Sequence, residues 1–139
     1  MSDRLKQMLI KHEGIKLKPY KCTMGFVTIG IGRNLDANGI SELEAIVMLD
    51  NDIAEVKKQV EKKFKWFNKL NDVRKDVIID MVFNMGLKTF CEFKMTIHFL
   101  EEGDFAQASI EMLESDWSTQ VGCRAKELSK MMYTGEYPK

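Results

Sequence analysis

Three side chains with reactive groups stand at the spacing Glu13-x8-Cys22-x5-Thr28. Glu13 is the only acidic residue between Arg4 and Asp36. A carboxylic acid donates a proton to a leaving oxygen, and cleavage of a glycosidic bond requires such a donor. The same reaction needs a group across the sugar ring that directs water or attacks the anomeric carbon. Cys22 and Thr28 are the residues of this stretch suited to that side. A thiol, with a reference pKa of about 8.5, is a weaker base at neutral pH than a carboxylate. A threonine hydroxyl is no base alone, but it holds a water by hydrogen bonding. Ile10 and Ile15 flank Glu13, which predicts partial desolvation and favours the protonated acid. Judged by residue type alone, a packed strand cysteine and an ordinary strand threonine are the plainer readings of Cys22 and Thr28.

The elements around these residues follow from periodicity. Leu5, Met8 and Leu9 have helical spacing, so a first helix is expected from Asp3, its N-cap, to about Lys11, with Glu13 just past its end before Gly14. From Ile15 to Ile31 the period changes to two, with Thr23-Met24-Gly25 as the turn of a β-hairpin. Asn34 to Gly39 reads as a loop. Ser41-Glu42-Leu43-Glu44 fits a capping box, and apolar positions through Val60 carry that helix past residue 60. Beyond about residue 70 the chain reads as helical. A face from Val73 to Met85 stops at Gly86. A helix from Phe93 ends near Gly103, Asp104 caps a segment through Leu113, and a final helix spans about Arg124 to Met131.

The chain has 139 residues, enough for one domain that buries roughly two-thirds of the unfolded surface. Net charge is zero but uneven: residues 1–33 carry seven Lys/Arg against two Asp/Glu, and residues 34–116 carry ten against seventeen. A basic surface formed by the chain ends would suit an anionic polymer, while scattered solvated lysines are the plainer alternative. Lys57, Lys58, Lys62, Lys63 and Lys65 read as a solvated helix face, since no nucleic-acid signature accompanies them. Cys22, Cys91 and Cys123 form no Cys-x-x-Cys pair, so neither a disulfide framework nor a metal site is expected, and no cofactor is implied. The first residues lack an apolar core of secretory length. Residence in a cytoplasm, without a signal peptide, is the expectation.

Glu13-Gly14, Leu17, Tyr20-Lys21, Thr23, Gly25 and Thr28-Ile29-Gly30-Ile31-Gly32 open a series of blocks. Leu70, Asp72-Val73-Arg74 and Met81-Val82-Phe83-Asn84-Met85-Gly86 continue it. Trp117, Gln120, Arg124-Ala125 and Thr134-Gly135 close it. In this order, and over nearly the whole chain, the sequence resembles the T-even bacteriophage lysozyme family, glycoside hydrolase family 24.

The resemblance implies an α+β, mostly α, lysozyme-like fold in a single domain. A small hairpin lobe would cover about residues 13–40 and a connecting helix about 41–62. A helical lobe would cover about 65–139 together with the N-terminal helix. It implies an endolysin or muramidase that hydrolyses the β-1,4 bond between N-acetylmuramic acid and N-acetylglucosamine in peptidoglycan. Glu13 would be the general acid. Cys22, standing where the family has Asp or Cys, would direct water with Thr28. Asn34, Phe83 and Thr96 match substrate-binding positions, and Arg124 matches the arginine that pairs with the catalytic glutamate. Arg33 stands where a histidine is common and Glu111 where Asn is frequent. The segment from Gly32 to Ser41 is shorter than in the T-even enzyme. Peptidoglycan strands would be the partner, with no nucleic acid and no stable membrane insertion. The protein would act as a monomer, with holin-dependent release to the cell wall. The alternative is a catalytically silent peptidoglycan-binding module of the same fold.

Overall fold

A computed structural model describes residues 3–139. Its internal contacts divide the chain into two units, residues 1–48 and 49–139. The first contains α1 (Asp3–Glu13), three strands, a single helical turn and the start of a long helix. α1 runs two residues farther than the expected Lys11 and takes Glu13 into its last turn. Asp3 lies inside the helix rather than capping it. Lys11 and His12 suit a helix C-terminus, where backbone carbonyls carry partial negative charge. Gly14 closes the helix by donating its N–H to Ile10 O at 2.8 Å.

The strands β1 (Lys16–Lys21), β2 (Val27–Gly30) and β3 (Arg33–Asn34) form an antiparallel sheet in that order. Tyr20 faces Thr28, Lys21 faces Val27, and the register is irregular between Lys16 and Tyr20. Pro19 lies in that irregular stretch; it has no N–H to give, and an edge strand tolerates it. The turn falls at the expected Thr23-Met24-Gly25, closed by Cys22 N–H to Phe26 O at 2.9 Å and Gly25 N–H to Cys22 O at 2.9 Å.

The stretch expected as a loop from Asn34 to Gly39 is ordered instead. Arg33–Asn34 pairs with β2, and α2 (Leu35–Asn38) follows as one helical turn. The polar residues that suggested a loop build it. Asn34 Oδ1 accepts from Ala37 N–H at 3.0 Å as N-cap, and Asp36 Oδ2 accepts from Val27 N–H at 2.7 Å. The capping box that opens α3 (Glu42–Lys63) is present in both directions, Glu44 N–H to Ser41 Oγ at 3.1 Å and Ser41 N–H to Glu44 Oε1 at 2.9 Å. Its lysines 57, 58, 62 and 63, and Lys65 beyond its end, are exposed.

The second unit holds the core. α4 (Asp72–Met85), α6 (Lys94–Glu102), α7 (Phe105–Leu113) and α9 (Cys123–Thr134) lie within a residue or a few of their expected bounds. Asn71 and Asp104 cap α4 and α7 through their side-chain oxygens. Gly103, in the left-handed region, ends α6. The short helices α5 (Leu87–Phe90) and α8 (Asp116–Val121), and a 3-10 turn at Phe67–Lys69, have no period long enough to show in the sequence. Phe67, Ile78, Met81, Phe90, Met112 and Met132 are fully buried there. Among described residues of the first unit, Thr28 alone is buried. That unit is therefore held by backbone pairing, caps and one ion pair more than by a core. The mostly α, α+β, lysozyme-like architecture is as the sequence indicates. No helix among the described residues is long and apolar enough to cross a membrane.

Candidate active site

The hairpin brings two of the three chemical groups together. Tyr20 and Thr28 are directly opposed, and Cys22 bonds to Phe26 across the turn, so Cys22 and Thr28 are diagonal cross-strand neighbours. Amide hydrogen bonds from Phe26 and then Met24 hold the Cys22 thiol below its ordinary pKa against the opposing effect of burial, and a bond from the Thr28 hydroxyl adds a weaker contribution. The Thr28 hydroxyl also donates to Phe26 O at 3.0 Å. It has one proton, so donation to Phe26 O and to Cys22 Sγ are alternatives. Whichever is made, no hydrogen bond to the Thr28 oxygen is seen among the described residues.

Glu13 sits on the last turn of α1, with its carboxyl against Gly32 in the turn between β2 and β3. A Cβ built on Gly32 would stand 2.8 Å from Glu13 Oε2. Glu13 is exposed, and Ile10 and Ile15 are 37% and 55% exposed. The apolar neighbours therefore do not bury the carboxyl, contrary to the desolvation expected from the sequence. Ile10 lies on α1 and Ile15 in the link to β1, in a unit where Thr28 alone is buried among the described residues. Asn34 is the direct partner of Thr28 on β3. Its Oδ1 is taken by the α2 cap, which leaves its amide N–H groups to donate.

Arg33 explains how the short segment after β3 stays closed. Its guanidinium grips Glu44 in a two-pronged ion pair at 2.9 and 2.8 Å and donates to Gly39 O at 3.0 Å. The Arg33 bond, with help from Ser41, holds the Glu44 carboxyl down to about 2. In the sequence Glu44 shows only as a helix cap, because its partner lies eleven residues away.

The remaining expected site residues lie in the second unit. Phe83, 44% exposed on α4, lines a cavity of about 420 Å³ with Leu49, Ile53, Asp80 and Arg124. Thr96, buried on α6, lines a separate cavity of about 510 Å³ with Glu111 and Trp117. Phe83 and Thr96 thus do not share a cavity. Arg124, which the resemblance pairs with the catalytic glutamate, binds Asp80 through Nε at 2.9 Å and Nη2 at 2.7 Å. Asp80 was not anticipated. It faces Arg124 only because α4 packs on α9. The three cysteines are free thiols. No cluster of three or more His, Cys, Asp or Glu suited to a metal occurs among the described residues.

Fold and hairpin together define a lysozyme-like α+β protein. The family model for phage lysozyme matches residues 10–132. Probable T4-type lysozymes 1 and 2 of Dictyostelium discoideum are 30% and 31% identical, each alignment covering 97% of this chain and 96% of the relative. The endolysin of Acyrthosiphon pisum secondary endosymbiont phage 1 is 31% identical over 80% of this chain and 75% of its own. The chain belongs to the phage lysozyme family. The alignment to the first Dictyostelium protein has 164 positions against the 139 residues here, so that relative carries residues this chain lacks.

Proposed function

We propose that this protein is an endolysin-type muramidase that hydrolyses the β-1,4 bond between N-acetylmuramic acid and N-acetylglucosamine in bacterial peptidoglycan. The observation that carries this reading is the hairpin itself. It supports a thiol held toward its thiolate form beside a buried hydroxyl, and Glu13 lies against the following turn. Membership of the phage lysozyme family supplies the reaction class.

In this reading Glu13 protonates the glycosidic oxygen as the bond from the anomeric carbon to that oxygen breaks. A water held by Thr28 attacks the anomeric carbon from the opposite face, and Cys22 accepts its proton. Thiolate character favours that step, and a free lone pair on Thr28 orients the water. The product would carry inverted configuration. Asn34, Phe83 and Thr96 bind the glycan, and Arg124, held by Asp80, is the supporting cation. As an endolysin the protein would act as a monomer and rely on a holin for access to the wall.

Digestion of purified peptidoglycan followed by borohydride reduction tests the bond assignment. Reduced muramic acid at the new ends is expected. Reduced glucosamine, or anhydro-muramic ends, would refute it. NMR of the fresh product should show the α anomer first.

A further inference from the structure

Within its own unit, the Glu13 carboxylate makes no hydrogen bond or ion pair among the described residues. It is nevertheless closely seated. A Cβ on Gly32 would meet Glu13 Oε2 at 2.8 Å, Cδ at 3.0 Å and Cγ at 3.1 Å. Non-bonded heavy atoms prefer about 3.5–4.0 Å, so no side chain fits there unless the carboxyl moves. The backbone beneath it is fixed on both sides. Thr28 pairs with Asn34 and Ile29 with Arg33, and Arg33 is anchored to Glu44 and Gly39. The side chain of Glu13, rather than the turn, would have to give way.

We infer that Gly32 is a positioning residue. Its bare Cα is the seat that sets where the Glu13 carboxyl stands relative to the hairpin. The functional part of this inference rests on the proposed role of Glu13 as general acid. Backbone conformation alone does not account for the glycine. Gly30, two residues earlier, has φ +72 against +69 at Gly32, yet a Cβ there would meet nothing within 4 Å. The two positions share the left-handed strain and differ in what stands opposite, so Gly30 is a matched control.

The experiment compares Gly32→Ala and Gly30→Ala, each in the wild-type and Glu13→Ala backgrounds, by denaturation midpoint. The single variants and Glu13→Gln are also followed by kcat and KM on soluble glycan strands. Removal of the Glu13 side chain should relieve part of the cost of Gly32→Ala and none of the cost of Gly30→Ala. A displacement of about 1 Å at a reacting group costs on the order of 100-fold. Gly32→Ala should therefore lose kcat on that scale with KM little changed, while Gly30→Ala stays within a few-fold. Additive stabilities, or equal kcat in the two alanine variants, would overturn the inference. Wild-type kcat in Glu13→Gln would instead overturn the acid assignment, and the stability cycle would still report whether Gly32 seats Glu13.

Discussion

Thr28→Val separates catalysis from folding in the first unit. Valine keeps the shape and removes the hydroxyl. Thr28 is 3% exposed, and its hydroxyl donates to Phe26 O at 3.0 Å. A typical intramolecular hydrogen bond contributes about 0.5–1.5 kcal/mol net. The loss here belongs at the low end, because Phe26 O also accepts from Cys22 N–H at 2.9 Å and is not orphaned. We therefore expect a destabilisation of about 1 kcal/mol or less. Against a usual stability of about 5–15 kcal/mol, that leaves nearly all molecules folded at 25 °C. Any larger loss of rate is then chemical. If the hydroxyl orients the attacking water, kcat should fall at least about ten-fold, on the scale of a lost catalytic hydrogen bond or proton-transfer aid. Thr28→Ser, which keeps the hydroxyl, should recover most of it. The assay is urea denaturation of each variant beside initial rates on purified peptidoglycan. Full activity in Thr28→Val would refute the water-holding role. A rate loss matched by the folded fraction would do the same.

Further outcomes follow from other contacts. Glu44 is held down to about 2 in the folded chain, below the ordinary carboxylate value of about 4.3. Its contribution to stability is thus complete above about 4.3 and fades as pH falls toward 2. Hairpin amide signals in NMR should broaden or shift over that window, and Glu44→Gln should flatten the response. Cys22 should react with iodoacetamide at lower pH than an ordinary thiol, with activity lost in step with its modification. Cys22→Asp should retain hydrolysis while Cys22→Ala loses it; alanine at the wild-type rate would remove Cys22 from the chemistry. Arg74 donates to Met132 O at 2.7 Å and Tyr133 O at 3.0 Å and lies 3.9 Å over the Phe105 ring. Arg74→Leu should destabilise the second unit by about 2 kcal/mol, and Arg74→Lys, which lacks the planar fork, should not restore it. Thermal melts measure both.

Local signals were legible in the sequence because their partners are near in the chain. Ser41 and Glu44 cap one another three residues apart, Asp104 caps α7 by reaching Gln107, and Gly103 ends α6. Features decided by distant packing were not. Nothing near Phe90 marks α5, which the core fixes by burying that ring completely. The Arg124–Asp80 pair spans forty-four residues. The exposure of Ile10, Ile15 and Glu13 depends on how little core the first unit has, which apolar spacing does not reveal.

The blocks that carry the family resemblance also divide by role. Several are joints of the second unit rather than site residues. Arg74 holds the end of α9, Asn71 donates to Gly135 O at 3.0 Å, and Trp117 donates to Asn84 Oδ1 at 2.8 Å. The hairpin block is different. Thr28 has Cys22 as a diagonal neighbour on one side and Asn34 as its direct partner on the other, and Glu13 lies against Gly32. A spacing pattern gives the order of such residues along the chain, and only the register shows which of them are neighbours.

The central claim is that Glu13 donates the proton that breaks the glycan. Its most direct test is the fall in turbidity of permeabilised Gram-negative cells with wild-type protein and with Glu13→Gln at equal folded concentration. Glutamine keeps the size of the side chain and removes the acid. Lysis by the wild type and its loss in Glu13→Gln, by a factor of about 100 or more, is the predicted result. Equal lysis by the two proteins, or none by the wild type, would contradict the account.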